Sequence, residues 1–304
     1  MHQFNRFIAR LLPFVPKPIV GMFARPYIAG ESLEDAIKTV KELMQQGACA
    51  SIDLLGEQIT KKEDSLHALE SYKQILQAIE REQLDSNVSV KPTHMGLKLD
   101  KEFCYQNIKT LVAAAKKQNN FVRIDMEDSS CTDDSIDIYL RLRKEFPNVG
   151  IVLQSYMRRT IDDVNRLIPQ KPNIRIVKGA YYYEPRAIVF KDSQIINSNY
   201  RYILEKLITE GCHVAIATHD EKLVWEGLKL VDKLKLKKDA YEFQMLLGVD
   251  PELRSIIINQ GHRLRVYIPY GKDWFAYFIR RLKENPKMVN YIMKQTIHRI
   301  FKSH

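Results

Sequence analysis

The 304-residue sequence predicts an α/β protein, a closed (β/α)8 TIM barrel with an N-terminal helical extension. Three observations lead there. Eight short β-branched runs recur along the chain, stretches with helical periodicity separate them, and nearly every run finishes in a polar or ionisable residue. Strands alternating with helices pair in parallel through right-handed crossovers, and eight such units close a barrel. No low-complexity linker divides the chain and no G-x-G-x-x-G follows a strand, which disfavours a Rossmann sheet.

Residues 1–48 are expected to form helical segments packed across the bottom or side of the barrel, and no chemistry is assigned to them. The barrel proper is expected over 49–304. Its runs begin with Ala50-Ser51-Ile52-Asp53-Leu54, Val88-Ser89-Val90, Phe121 to Met126 and Ile151 to Gln154. Ile174 to Val177, Val214 to Ala217, Tyr241 to Met245 and Arg265 to Ile268 follow. The amphipathic segments between them include Leu66 to Gln83, Cys104 to Lys117, Thr132 to Phe146 and Asn199 to Glu210.

Composition excludes several classes. With 45% hydrophobic and 28% charged residues the chain reads as an ordinary globular protein. No apolar run reaches the roughly 18 residues of a membrane span, and Met1 to Arg10 lacks a signal-peptide core, so a cytoplasmic location is expected. Cys49, Cys104, Cys131 and Cys212 form no C-x-x-C pair, which signals neither zinc nor a disulfide framework. The net charge of +10 is dispersed and no nucleic-acid signature accompanies it, so no nucleic acid is expected as partner. Arg6, Arg10, Lys17 and Arg25 stand among apolar residues at the N-terminal end. That pattern fits peripheral contact with acidic lipid, at the inner face of the membrane, or equally a basic flap packed on the domain.

In a barrel of this kind the chemistry sits where the strands end. Those positions hold Lys91; Asp125, Glu127 and Asp128; Gln154 and Tyr156; Arg175 and Lys178; Thr218 and His219; Gln244; and Tyr267. Beyond the last strand Y-I-P-Y-G-K-D-W-F-A-Y-F-I-R-R-L-K-E-N places Arg280 and Arg281 side by side on a helix, with Glu284 one turn on. Two guanidiniums held by a glutamate suit a bidentate carboxylate clamp, so the substrate is expected to carry an acid group. Alone, R-R-x-x-E also fits a solvated charge cluster. Lys91 and Lys178 could equally be ion-pair partners of Asp125 and Glu127, His219 the start of a helix, and Tyr181, Tyr182 and Tyr183 a packed ridge. An imine-forming or Mg²⁺-assisted lyase on Lys178 or Lys91 with Asp125, Glu127 and Asp128 is the enzyme alternative.

The motifs stand in one order: K-P-T at Lys91, R-I-D-M-E-D-S, Q-S-Y-M-R, R-I-V-K-G-A-Y, A-T-H-D, F-Q-M-L, then Y-I-P-Y-G with Y-x-x-R-R-x-x-E-N. As a set, over roughly Ser89 to Phe301, they resemble the FAD-dependent proline dehydrogenase (proline oxidase) family of the monofunctional bacterial type. The resemblance implies a barrel that binds FAD at its mouth and oxidises L-proline to Δ1-pyrroline-5-carboxylate, the first step of proline catabolism. Electrons would pass on to a quinone, and no metal is implied. Carried onto this chain, Arg280 and Arg281 hold the carboxylate and Glu284 orients them. Lys91 lies near that carboxylate, and Asp125 completes the charge network. Tyr267, Tyr277 and Leu246 form the wall against the ring. The resemblance places the Met126 backbone, Gln154, Arg175, Lys178, Gly179, Ala180, Thr218 and His219 around FAD. Arg175 would favour negative charge on the reduced ring and ease hydride acceptance. Some family members carry tryptophan where this chain has Tyr182, which leaves the adenine end of FAD open.

Overall fold

A computed structural model describes residues 17–56, 59–180 and 183–284 of the chain. Eight parallel strands form a closed barrel in which each strand neighbours the next in sequence and β1 closes on β8. They are β1 Cys49–Leu54, β2 Ser86–Val90, β3 Val122–Ile124, β4 Val149–Gln154, β5 Asn173–Val177, β6 His213–Ala217, β7 Tyr241–Leu246 and β8 Leu264–Tyr270. The register sets Asp53 opposite Ser89 on one side and Pro269 on the other.

Helices follow each strand: α3 Lys62–Arg81, α4 Lys101–Lys117, α5 Ser129–Arg143, α6 Thr160–Leu167, α7 Ser193–Thr209, α8 Glu221–Lys233, α9 Pro251–Asn259 and α10 Trp274–Glu284. Among the described residues two more precede β1, α1 Lys17–Ala24 and α2 Leu33–Gln45. Several begin on an aspartate whose carboxylate accepts from a free first-turn N–H, as Asp100 does from Phe103 at 3.0 Å and Asp192 from Gln194 at 2.8 Å. Ser32 and Asp35 make a reciprocal capping box at the head of α2.

One apolar core lies between strands and helices. Alternate strand residues such as Ile52, Val88, Val90, Ile124, Ile151, Ile174, Ile176, Val214, Ile216, Val266 and Ile268 pack there. The intervening residues point into the barrel, and many are polar: Ser51, Asp53, Ser89, Arg123, Arg175, Glu242, Gln244 and Arg265 are all buried. Side-chain bonds join strands that are not neighbours, which only the interior allows. Arg175 on β5 reaches Gln244 on β7 and Ser89 on β2 in this way. Near the bottom, between the neighbours β8 and β7, Arg265 Nε bonds both oxygens of Glu242 at 3.0 and 3.1 Å. Burial opposes ionisation of Glu242, but the Arg265 guanidinium prevails and holds its carboxyl down at about 2.

The helix sequence departs from a simple repeat at one place. The buried face of α2, formed by Ala36, Val40 and Leu43, packs on β8 and β1, the position in the outer ring that a helix following β8 would take. Helix α10 packs instead on α1. Val20, Ala24, Tyr27 and Ile28 join Leu55, Tyr277, Phe278, Ile279 and Leu282 in an apolar cluster separate from the main core.

Candidate active site

Lys91 is the first residue beyond β2, and its Nζ lies 2.6 Å from Asp53 Oδ2 on the neighbouring strand. Burial alone would weaken the ammonium, yet attraction from Asp53, Asp125 and Glu127 more than offsets it and raises its pKa. Tyr72 reaches in from α3, donating to Ser89 O at 2.8 Å and approaching Asp53 Oδ1 at 3.4 Å. The lysine is therefore a fixed positive charge. It also stands 3.5 Å from the Tyr267 hydroxyl.

Arg175, in the middle of β5, spans the interior. Its Nε donates to Gln244 Oε1 at 2.5 Å, one terminal nitrogen to Asp125 Oδ1 at 2.7 Å and the other to Ser89 Oγ at 2.9 Å. The second oxygen of Asp125 accepts from the Tyr267 hydroxyl at 2.8 Å, and the guanidinium lies 5.3 Å from the centre of the Tyr267 ring. Burial, then the Asp125 charge, push the Tyr267 phenol well above its usual range, so it stays a donor. Three of the five arginine N–H groups are committed, which leaves two for a ligand.

The other carboxylates in this stretch turn to separate partners. Glu127 is buried against Thr93, accepting from its backbone N–H at 2.9 Å and its hydroxyl at 2.5 Å, while Asp128 caps α5 through Ser130. The chain leaves the ladder after the bond from Asp125 N–H to Val90 O, so strand alternation no longer governs 126–128. Asp125, Glu127 and Asp128 do not converge, and among the described residues no group of three His, Cys, Asp or Glu could hold a metal ion. Lys178 pairs with Asp220 at 2.5 Å, and Lys91 with Asp53.

The residues assigned to a cofactor line the ends of β4, β5 and β6. Gln154 donates to Met126 O at 3.4 Å, while its Oε1 is buried with no protein partner among the described residues. An orphaned acceptor of this kind suits a ring N–H of a bound group. His219 Nε2 accepts from Leu246 N–H at 2.8 Å, which leaves Nδ1 to carry the proton and donate. Burial lowers this imidazole to about 4, so it is neutral. Thr218 Oγ1 accepts from Asp220 N–H at 3.1 Å and retains its own hydrogen. Lys178, Thr218 and His219 thus leave donors for phosphate or polyol oxygens. These groups fit FAD.

Gly179, expected to let backbone approach a flavin, has a more local requirement. Its φ is +120°, and a Cβ there would lie 2.2 Å from the Tyr156 ring. Ala180 follows it, half-buried.

Tyr277 and the half-buried Arg280 and Arg281 are carried by α10, the two guanidiniums 5.7 and 5.4 Å from the centre of the Tyr277 ring. Leu246 ends β7 opposite Tyr267 in the register. The Glu284 side chain, Tyr181, Tyr182 and residues 1–16 lie outside the described residues. Sequence reasoning placed Gln244 at the barrel mouth without a partner and attached no role to Asp53 or Ser89. The available signal was parity: Ser51 and Asp53 alternate with apolar neighbours in A-S-I-D-L, and a carboxylate inside a strand requires a cation.

Comparison with known proteins bears on the family and the fold. The family model described as proline dehydrogenase matches residues 36–294. Proline dehydrogenase 1 of Bacillus subtilis subsp. natto is 37% identical over 271 residues, 89% of each chain. Proline dehydrogenase of Deinococcus radiodurans is 34% identical over 276 residues, again 89% of each. The likeness is therefore to stand-alone proteins. Among solved structures, proline utilization A from Bdellovibrio bacteriovorus inactivated by N-propargylglycine superposes with a TM-score of 0.85 at 23% identity. That match covers 93% of this chain and 36% of that one, and it speaks to the fold. The family match over most of the chain, with relatives above 30% identity along nearly their whole length, establishes that the chain belongs to the proline dehydrogenase family.

Proposed function

We propose that this chain is an FAD-dependent L-proline dehydrogenase that forms Δ1-pyrroline-5-carboxylate and passes electrons to a quinone. The observation that carries the proposal is the meeting, at one end of the barrel, of fixed cations with a set of uncommitted donors and one orphaned acceptor. Lys91 is held charged by Asp53, Arg175 is held by Asp125, Ser89 and Gln244, and α10 brings Arg280 and Arg281. When bound, FAD supplies the two-electron acceptor.

The protein's part is binding, orientation and charge. Arg280 and Arg281 grip the carboxylate in a bidentate way, and Lys91 adds a third positive charge near it. Tyr267, Tyr277 and Leu246 enclose the pyrrolidine ring. The bond that breaks is C–H at the carbon beside nitrogen, and the nitrogen lone pair becomes the second C=N bond. An ammonium has no lone pair to give, so proline must shed one proton before the hydride leaves. The surrounding cations favour that loss, and no side chain need act as an obligate base.

The test is the visible spectrum of the purified protein before and after anaerobic L-proline. Flavin bands near about 380 and 450 nm that bleach support the proposal. A protein that stays colourless after FAD is supplied overturns it. Turnover with a soluble quinone, compared with turnover under oxygen alone, tests the acceptor.

A further inference from the structure

Arg280, Arg281 and Tyr277 ride on a helix whose packing comes largely from the other end of the chain. We infer that residues 17–31 are a strap that positions the substrate clamp, with Val20 as its central positioning residue. The inference rests on the proposed role of α10 in holding the substrate carboxylate.

Four observations carry it. The apolar cluster under α10 draws Val20, Ala24, Tyr27 and Ile28 from the strap, while the barrel contributes Leu55 and, partly buried, Val249. Val20 is fully buried there. The strap is stitched to the chain just before the turn that launches α10: Ala29 N–H donates to Pro269 O and Gly271 N–H to Gly30 O, both at 3.0 Å. The first residue of α10, Trp274, donates its indole N–H to Glu31 Oε1 at 2.7 Å, and Lys17 lies 5.7 Å from the Phe275 ring centre. On its other flank the strap presses on the loop after β7. A Cβ on Gly248, whose φ is +74°, would meet Pro26 O at 2.1 Å, two residues beyond Leu246.

The strap therefore joins the loop beyond Leu246 to the helix bearing Tyr277 and both arginines. A ligand that binds only when α10 is docked sees its affinity divided by the docked fraction. Weakening the strap lowers that fraction. The donors at the ends of β5 and β6 belong to other elements, linked to the strap's loop through the bond from Leu246 N–H to His219 Nε2, so flavin binding changes less than proline binding.

The test compares wild type with Val20→Ala, Val20→Asp and Val20→Ile as holoenzymes, reading KM for L-proline, kcat, flavin content and amide hydrogen exchange along 274–284. For Val20→Ala, exchange along α10 speeds up and KM rises about 3–10-fold, while kcat and flavin content stay within about twofold. The aspartate variant moves KM further and the isoleucine variant little. If the aspartate variant does not fold, the alanine variant still decides. Unchanged exchange and KM in Val20→Ala overturn the strap, as does parallel loss of flavin, kcat and proline affinity. Faster exchange along α10 in a protein that never oxidises proline sustains the hold on the helix and overturns the proposed function instead.

Discussion

Asp53 and Lys91 meet at 2.6 Å between neighbouring strands, the carboxylate fully enclosed and the lysine side chain 9% exposed. Breaking a buried pair from one side strands the other charge in a low-dielectric interior. Asp53→Ala is expected to destabilise the fold by about 3–5 kcal/mol, read as a lower urea midpoint at unchanged slope. It should also weaken proline binding, because Lys91 loses its closest carboxylate. A midpoint within error of wild type would mean that the pair contributes nothing.

Arg281 tests the clamp directly. Arg281→Met keeps much of the aliphatic bulk and removes the charge and the donor fork. The expected result is a KM for L-proline raised roughly 10–100-fold, the equivalent of one charged hydrogen-bonded contact, with flavin absorbance intact. Equal loss of proline and flavin binding would place Arg281 elsewhere in the site's economy.

The neutral-amine requirement makes a kinetic prediction. Turnover at subsaturating proline is expected to rise with pH through mildly alkaline values, as the bound amine sheds its proton more readily. A flat profile from about pH 6 to 9 contradicts it.

Acid should unfold the protein in two stages. His94 is buried, with no protein partner for Nδ1 among the described residues, and burial together with the nearby Lys91 charge lowers it from 6.5 to about 4. The unfolded chain then binds a proton that the folded chain refuses. Stability is complete above the unfolded value and falls as pH drops from 6.5 towards 4, by about 3 kcal/mol for this one group. His219, lowered to about 4 in the same direction, adds to the slope. Glu242 acts lower down: its stabilising ionisation is present above 4.5 and is lost as pH falls towards about 2. Melting curves against pH for wild type and His219→Gln check this, the variant having the shallower slope between pH 6.5 and 4.

The barrel was legible because its outer face is written in β-branched runs, and each expected run overlaps a strand. The edges were less so. The third run was expected over Phe121 to Met126, yet β3 ends at Ile124; Asp125 keeps one backbone bond to Val90 O while its side chain meets Arg175 and Tyr267. Helices α3, α4, α5 and α7 begin three to six residues before their apolar periodicity, since the largely polar first turns, capped by an aspartate in all but α3, carry little hydrophobic signal. In the site, Lys91 and Asp125 just beyond their strands and Arg175 and Tyr267 within theirs were readable one by one. For their partners Asp53 and Ser89 the sequence offered only parity, which marks an inward face but not which cation lies across it until the barrel closes.

The placement of α2 between β8 and β1 has a consequence for biosynthesis. Cys49 Sγ and Leu264 O lie 3.3 Å apart across 215 residues of sequence. At a synthesis rate of about 5–20 residues per second, β1 and α2 wait about 10–40 s on the ribosome before β8 emerges. During that interval the edge of β1 and the apolar stripe of Ala36, Val40 and Leu43 have no native cover from β8. Nascent-chain capture by chaperones should therefore be densest on translation intermediates that end before residue 270.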